Sequence, residues 1–183
     1  AITHRKNPIF DAIHIGKVPN ENSVIFSVSR PAVDTKYMRQ LFPEIIAVVP
    51  YPGSHQVVIQ GNFRRHGDAR RVMLGWFAGP FKDLVKNCIV VDEDIDPYDP
   101  EQVLWALSYR FQADRDLVII PNYSSVGFDP SERRDGLVTL CGFDATKPKP
   151  PSPRYEMVGW VEPWKETADW KKRIAEFWRR KEK

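Results

Sequence analysis

Asp92, Glu93, Asp94 and Asp96 crowd into five positions directly after the apolar run Cys88–Val91. Carboxylates at that density can ligate a hard cation, share a proton as an acid–base pair, or end a buried strand in polar turns. Asp92-x-Asp94-x-Asp96 matches the first three ligand positions of a calcium-binding loop. However, position six, where Gly makes the sharp turn, is Pro97, and position twelve, where a bidentate Glu belongs, is Val103. No His is nearby, and Cys88 belongs to the apolar strand run, so nothing completes a transition-metal site. The structural role therefore leads, with some of these acids capping the next helix and accepting from turn backbone. A pocket wall or a subunit contact is the alternative. His4 stands beside Arg5 and Lys6, and His14 lies in "DAIHIG"; both read as surface or hydrogen-bonded groups rather than bases. G-x-S-x-G, G-x-x-x-x-G-K and G-x-G-x-x-G are all missing. No catalytic or metal-ligating residue is therefore assigned, and a nucleotide-binding βαβ unit is disfavoured.

The elements that would position these acids follow from periodicity. "YMRQLFP" reads as a short helix ending at Pro43, followed by apolar runs at 45–49 and 57–60 joined by "PYPGSH", a hairpin. Val72, Met73, Trp76 and Phe77 form a helical stripe that Gly79 and Pro80 stop. "CIVV" suits a strand covered on both faces. Asp99, Pro100 and Gln102 supply an N-cap, a first-turn proline and a residue three after the cap, before a stripe of Val103, Leu104, Leu107 and Phe111. With the apolar run 117–120, residues 88–121 read as a βαβ unit with parallel strands. "PNYSSVGFDPS" would then leave the sheet beside the acids, where ligand crevices open.

A chain of 183 residues can bury one substantial core. No apolar run approaches the ~18 residues of a membrane span, so no membrane partner is expected. Cys88 and Cys141 are too few and too far apart for a zinc site or a disulfide scaffold, and a cytoplasmic location is the simpler expectation. The formal charge of +3 is concentrated in residues 161–183, which hold eight Lys/Arg against five Asp/Glu; a neutral body argues against nucleic acid. Pro148, Pro150, Pro151, Pro153 and Pro163 mark an extended linker. Beyond it, Trp170, Ile174, Phe177 and Trp178 share one helical face, a contact surface. The predicted fold is α/β, a mixed or mostly parallel sheet flanked by helices. Residues 1–146 are the domain, 147–166 the Pro-rich linker and 167–183 an amphipathic docking helix.

"AITHRKNPIF", "HGDARRVMLGWF", "CIVVDEDIDPYDPEQVLWALSYRFQADRDLVII" and "GFDATKP" together resemble, in order and spacing, the C-terminal half of the UbiD family of aromatic and acrylic acid (de)carboxylases. The resemblance spans most of residues 1–150. It implies a reversible non-oxidative decarboxylase using prenylated FMN with a divalent metal (Mn) and often a monovalent ion (K), the cofactor acting as electron sink. The family's glutamate-containing motif, its Arg and its metal-binding Asn, His and Glu all lie upstream of the matching region. The resemblance therefore implies a C-terminal domain, either a fragment or a separately encoded subunit, inactive alone and partnered by a missing N-terminal cofactor domain. It also implies homo-oligomerisation through the last helix. Substrate-wall positions carried over are Ile9 and Phe10, after "ITHR", and Tyr123, Val126 and Phe128, in the stretch after the second strand of the βαβ unit. Core packing is the competing role for these residues. Lys82 and Lys86 are only neighbours of the position expected to contact phosphate. The alternative function is a non-enzymatic interaction or scaffold domain on the same fold.

Overall fold

Cys88 and Val90 face one side of a strand while Ile89 and Val91 face the other, and each side meets its own buried cluster. The computed structural model describes residues 6–7, 21–51, 55–80, 85–124, 129–133 and 135–149, all within the unit Ala1–Lys149. Along these residues run α1 (Glu21–Leu41), β1 (Ile45–Pro50), β2 (Gln56–Gly61), α2 (Asp68–Phe77), β3 (Asn87–Asp92), α3 (Pro100–Tyr109), α4 (Ala113–Asp116), β4 (Leu117–Ser124) and β5 (Leu137–Asp144). The strand order is β1-β2-β3-β5-β4. β2, β3 and β5 are parallel, and the two outer strands run antiparallel to their neighbours. The fold class is thus α/β with a mixed five-stranded sheet flanked by helices.

The stripe of α2 does what its spacing implies. Ala69, Val72, Met73, Trp76 and Phe77 are all buried against Val57, Ile59, Val90 and Leu140. α1 joins the same layer through Met38 and also covers the outer strand. Thr35 Oγ1 accepts from the Val48 amide at 2.8 Å, Arg39 Nε donates to the Ile45 carbonyl at 2.9 Å, and the Arg39 guanidinium also reaches the Ile46 carbonyl. These bonds occupy backbone groups of β1, the kind an open sheet edge leaves unpaired. α3 lies over the second cluster, where Val103 and Ala106 pack with Val58, Ile89, Val91, Ile95 and Ala145. Its cap is as expected: Asp99 Oδ1 accepts from the amides of Glu101 and Gln102, and Pro100 takes the first turn. Gln102 departs from a capping box, because its Oε1 accepts from the Asp96 amide rather than bonding the cap residue's own amide.

Four sequence expectations are corrected. The helix before β1 is 21 residues long and ends at Leu41, not a short one ending at Pro43. Its apolar residues are spread around the axis, and Pro31 interrupts the pattern, so periodicity does not reveal its length. Residues 88–121 are not a parallel βαβ unit. β5 is inserted between β3 and β4, and β4 runs antiparallel to both. The parallel crossover is β2–α2–β3 instead. Consequently β4, which carries Pro121–Ser124, ends at the edge of the sheet opposite Asp92, not beside it. Finally, Leu104 is 62% exposed and Ala106 takes the buried position predicted for it. The linker and terminal helix, apart from residues 147–149, lie outside the described residues.

Candidate functional site

At the C-terminal end of β3 the acids are separated by what each one meets. Asp92 is 5% exposed. One of its oxygens accepts from the Lys147 amide and the other from Lys149 Nζ at 3.0 Å. Asp94 receives both arms of Arg110, at 3.0 and 2.6 Å, and Lys147 Nζ at 2.9 Å. Arg110 is itself only 3% exposed, lies 3.9 Å from Asp92, and sits 5.1 Å from the centre of the Trp105 ring. Glu93 turns away to Asn62 at 2.9 Å, and Asp96 accepts from the Tyr98 amide at 2.9 Å. Burial alone would raise the Asp94 carboxyl, but hydrogen bonds and charge from Arg110 and Lys147 outweigh it and hold it below the usual range. Asp144, at the end of β5, behaves oppositely. Burial raises it, the Thr146 hydrogen bonds offset only part, and Asp116 and Asp92 add to the rise. Among the described residues, no group of three or more His, Cys, Asp or Glu is placed to hold a metal ion.

The opposite edge holds the one predicted wall residue that is described. Tyr123 is half-buried against the α2 layer, and its hydroxyl donates to the Phe77 carbonyl at 2.6 Å, at the end of α2. Pro121 and Asn122 form the irregularity that separates it from Ile120 in the β4–β5 register. Asn122 takes a left-handed φ of 59°, which Asn tolerates better than most residues. Asp129 Oδ2 accepts from Lys86 Nζ at 2.6 Å, and its Oδ1 accepts from the Ser131 amide and hydroxyl at 2.9 and 2.8 Å. Burial would raise Asp129, but the bonds from Lys86 and Ser131 outweigh it and hold the carboxyl down to about 2.

The structure therefore brings Tyr123 to the edge that carries Lys86 and Asp129, and keeps it away from the acids at 92–96. Ile9, Phe10, Val126 and Phe128 lie outside the described residues. Sequence reasoning passed over Arg110, Lys147, Lys149 and the Lys86–Asp129 pair. Only "DPS" at 129–131, with a Ser two residues after an Asp, carried a local signal, that of an Asx turn.

The family described as the 3-octaprenyl-4-hydroxybenzoate carboxy-lyase C-terminal domain matches residues 23–145. A phenolic acid decarboxylase of Sedimentibacter hydroxybenzoicus is 33% identical over 178 residues, 96% of this chain and 37% of that protein. The closed form of a vanillic acid decarboxylase from the same organism superposes with a TM-score of 0.76 at 32% identity, covering 96% of this chain and 37% of that one. The UbiD-class enzyme HmfF of Pelotomaculum thermopropionicum, solved with FMN, gives 0.68 at 32% identity over 78% of this chain and 32% of that one. The chain thus spans about 37% of the length of the first curated relative it matches.

Proposed function

The chain belongs to the UbiD carboxy-lyase C-terminal domain family, and from that premise we propose that it forms the pocket-completing C-terminal part of a reversible, non-oxidative decarboxylase of aromatic or unsaturated carboxylic acids. The observation that carries this reading is the continuous match over residues 23–145, set beside relatives whose remaining length has no counterpart here. The substrate wall is Ile9 and Phe10 together with Tyr123, Val126 and Phe128. Tyr123 contributes the fixed end of its stretch, because its hydroxyl is spent on Phe77 and its ring is packed on α2.

A UbiD-type reaction needs prenylated FMN with its divalent metal, and the described side chains do not fit that role. Lys86, Arg110, Lys147 and Lys149 are each committed to a carboxylate of this chain, and no metal cradle is assembled among the described residues. We assign cofactor, metal and proton-transfer groups to an N-terminal region or subunit that this chain joins, and homo-oligomerisation to residues 167–183.

Reconstitution tests this. The chain, a separately produced N-terminal region of a family member, and prenylated FMN are combined, and CO2 release from phenolic and acrylic acids is followed. Turnover is expected only with both polypeptides present. Turnover by this chain alone refutes the division of labour, and failure of the two polypeptides to associate favours a scaffold role.

A further inference from the structure

The last residues of the unit Ala1–Lys149 make contacts, one after another, at the carboxyl ends of all three parallel strands. They leave β5 beside β3, where the Ala145 amide donates to the Val90 carbonyl at 2.9 Å. Lys147 and Lys149 then both meet Asp92, the final residue of β3, the first through its amide and the second through Nζ at 3.0 Å. Lys149 Nζ also stands 5.7 Å from the centre of the Phe63 ring, which packs against Gly61 at the end of β2. Lys147 Nζ reaches sideways to Asp94, in the turn after β3, at 2.9 Å.

From Thr146 onward the bonds change in kind. The Thr146 amide donates to the Asp144 carboxylate at 3.1 Å and the Lys147 amide to that of Asp92. Among the described residues, no main-chain to main-chain bond secures 146–149. A segment tied by side-chain carboxylates can lift without breaking a strand ladder, a local opening that costs less than unfolding the sheet. The ties are charge-assisted, which makes them short and directional. Beneath them Asp92 and Phe63 are only 5% and 4% exposed. The carboxyl ends of parallel strands are where an open α/β sheet presents its ligand crevice, and here the chain lies across that place.

We propose that Thr146–Lys149 is a strap, latched by Asp92 and Asp94 through Lys147 and Lys149, that shuts the crevice at the carboxyl ends of β2, β3 and β5. Its release uncovers Asp92 and Phe63 while the sheet stays folded. Arg110 remains on Asp94 whether the strap is latched or lifted, since its two bonds there involve no strap residue. The strap is independent of the decarboxylase reading, because every residue in it belongs to the described body of this chain.

The test is residue-resolved amide exchange, read by NMR on the full chain. Lys149→Met and the double variant Lys147→Met/Lys149→Met remove the latching cations and keep the amide at position 147. Exchange there is expected to quicken about threefold in the single variant and about tenfold in the double, with the Ile59 and Val90 amides within about twofold of wild type. Lys149→Arg, which retains a donor cation, should recover most of the wild-type protection. In parallel, Lys149 should be reductively methylated about tenfold faster in Asp92→Asn than in wild type, since its ammonium loses the charged partner. Unchanged exchange at position 147 in the double variant overturns the proposal, because the lysines then do not hold the strap. A rise matched at Ile59 and Val90 also overturns it, because the lysines then stabilise the whole domain rather than a separate closing element. Equal methylation rates in Asp92→Asn and wild type do the same.

Discussion

Arg110→Met removes the central cation of the rim while keeping most of the side-chain stem. Arg110 is buried, bidentate to Asp94 and 3.9 Å from Asp92, which is itself buried. Taking one partner from a buried charge pair costs about 3–5 kcal/mol. Two features reduce that here: a third of the Asp94 side chain is exposed, so solvent screens it, and Lys147 and Lys149 remain to pair the acids. About 2–3 kcal/mol is therefore expected, a fall in Tm of roughly 4–12 °C for a chain of this size. Urea unfolding of wild type, Arg110→Met, Asp94→Asn and the double variant isolates the pair term, expected at about 1–2 kcal/mol. The pH dependence supplies an independent check. Asp94 is held below its unfolded value, so its ionised form contributes stability that is fully present above about pH 4 and is lost as pH falls through the folded value. The gap between wild type and Arg110→Met should accordingly narrow below pH 4. A coupling under about 0.5 kcal/mol, or a gap that is flat from pH 7 to 3, would show that the rim is not held by this pair.

Gly75→Ala sets two effects in opposition. Alanine favours a helix interior by about 1 kcal/mol, but a Cβ there would overlap the Phe42 ring, and overpacking of that kind costs about 1–3 kcal/mol; net destabilisation in a thermal melt is expected. Asp99→Ala deprives the Glu101 and Gln102 amides of their acceptor and should cost about 1 kcal/mol in denaturant midpoint analysis, whereas Glu101→Ala, on the exposed face, should cost less. Cys88 is buried, and burial pushes its thiol well up. Against a thiol reagent at pH 8, only the half-exposed Cys141 should react in the native state, and both should react in guanidinium; rapid native modification of Cys88 contradicts the two-sided burial of β3.

Local pattern carried much of the architecture. "CIVV" announced a strand covered twice because both faces are apolar, and β3 is that strand. The stripe 72–77, the hairpin 45–60 and the Asp99-Pro100 start also appear where spacing put them. What periodicity did not show was β5. "LVTLCGFD" mixes Thr, Gly and Asp with apolar residues, because its two faces meet different surroundings: Leu140 is in the core, Thr139 is exposed, and Gly142 is pressed against Met73. Without β5, β4 was placed directly beside β3 and given the wrong direction, and Tyr123 was assigned to the wrong edge of the sheet.

The same division holds for the charged groups. That Asp92–Asp96 end a covered strand in polar turns could be read from adjacent residues, because hydrogen bonds to turns and caps are short-range. Which cations meet them could not be. Arg110 lies 16 residues from Asp94, Lys149 lies 57 from Asp92, and Lys86 lies 43 from Asp129. The chain alone thus determined most of its element types, its family likeness and the position of its acids. The order of the strands, and with it every charge pair and the edge on which Tyr123 stands, was decided only by folding, because sheet neighbours are chosen by burial of whole faces rather than by nearness along the backbone.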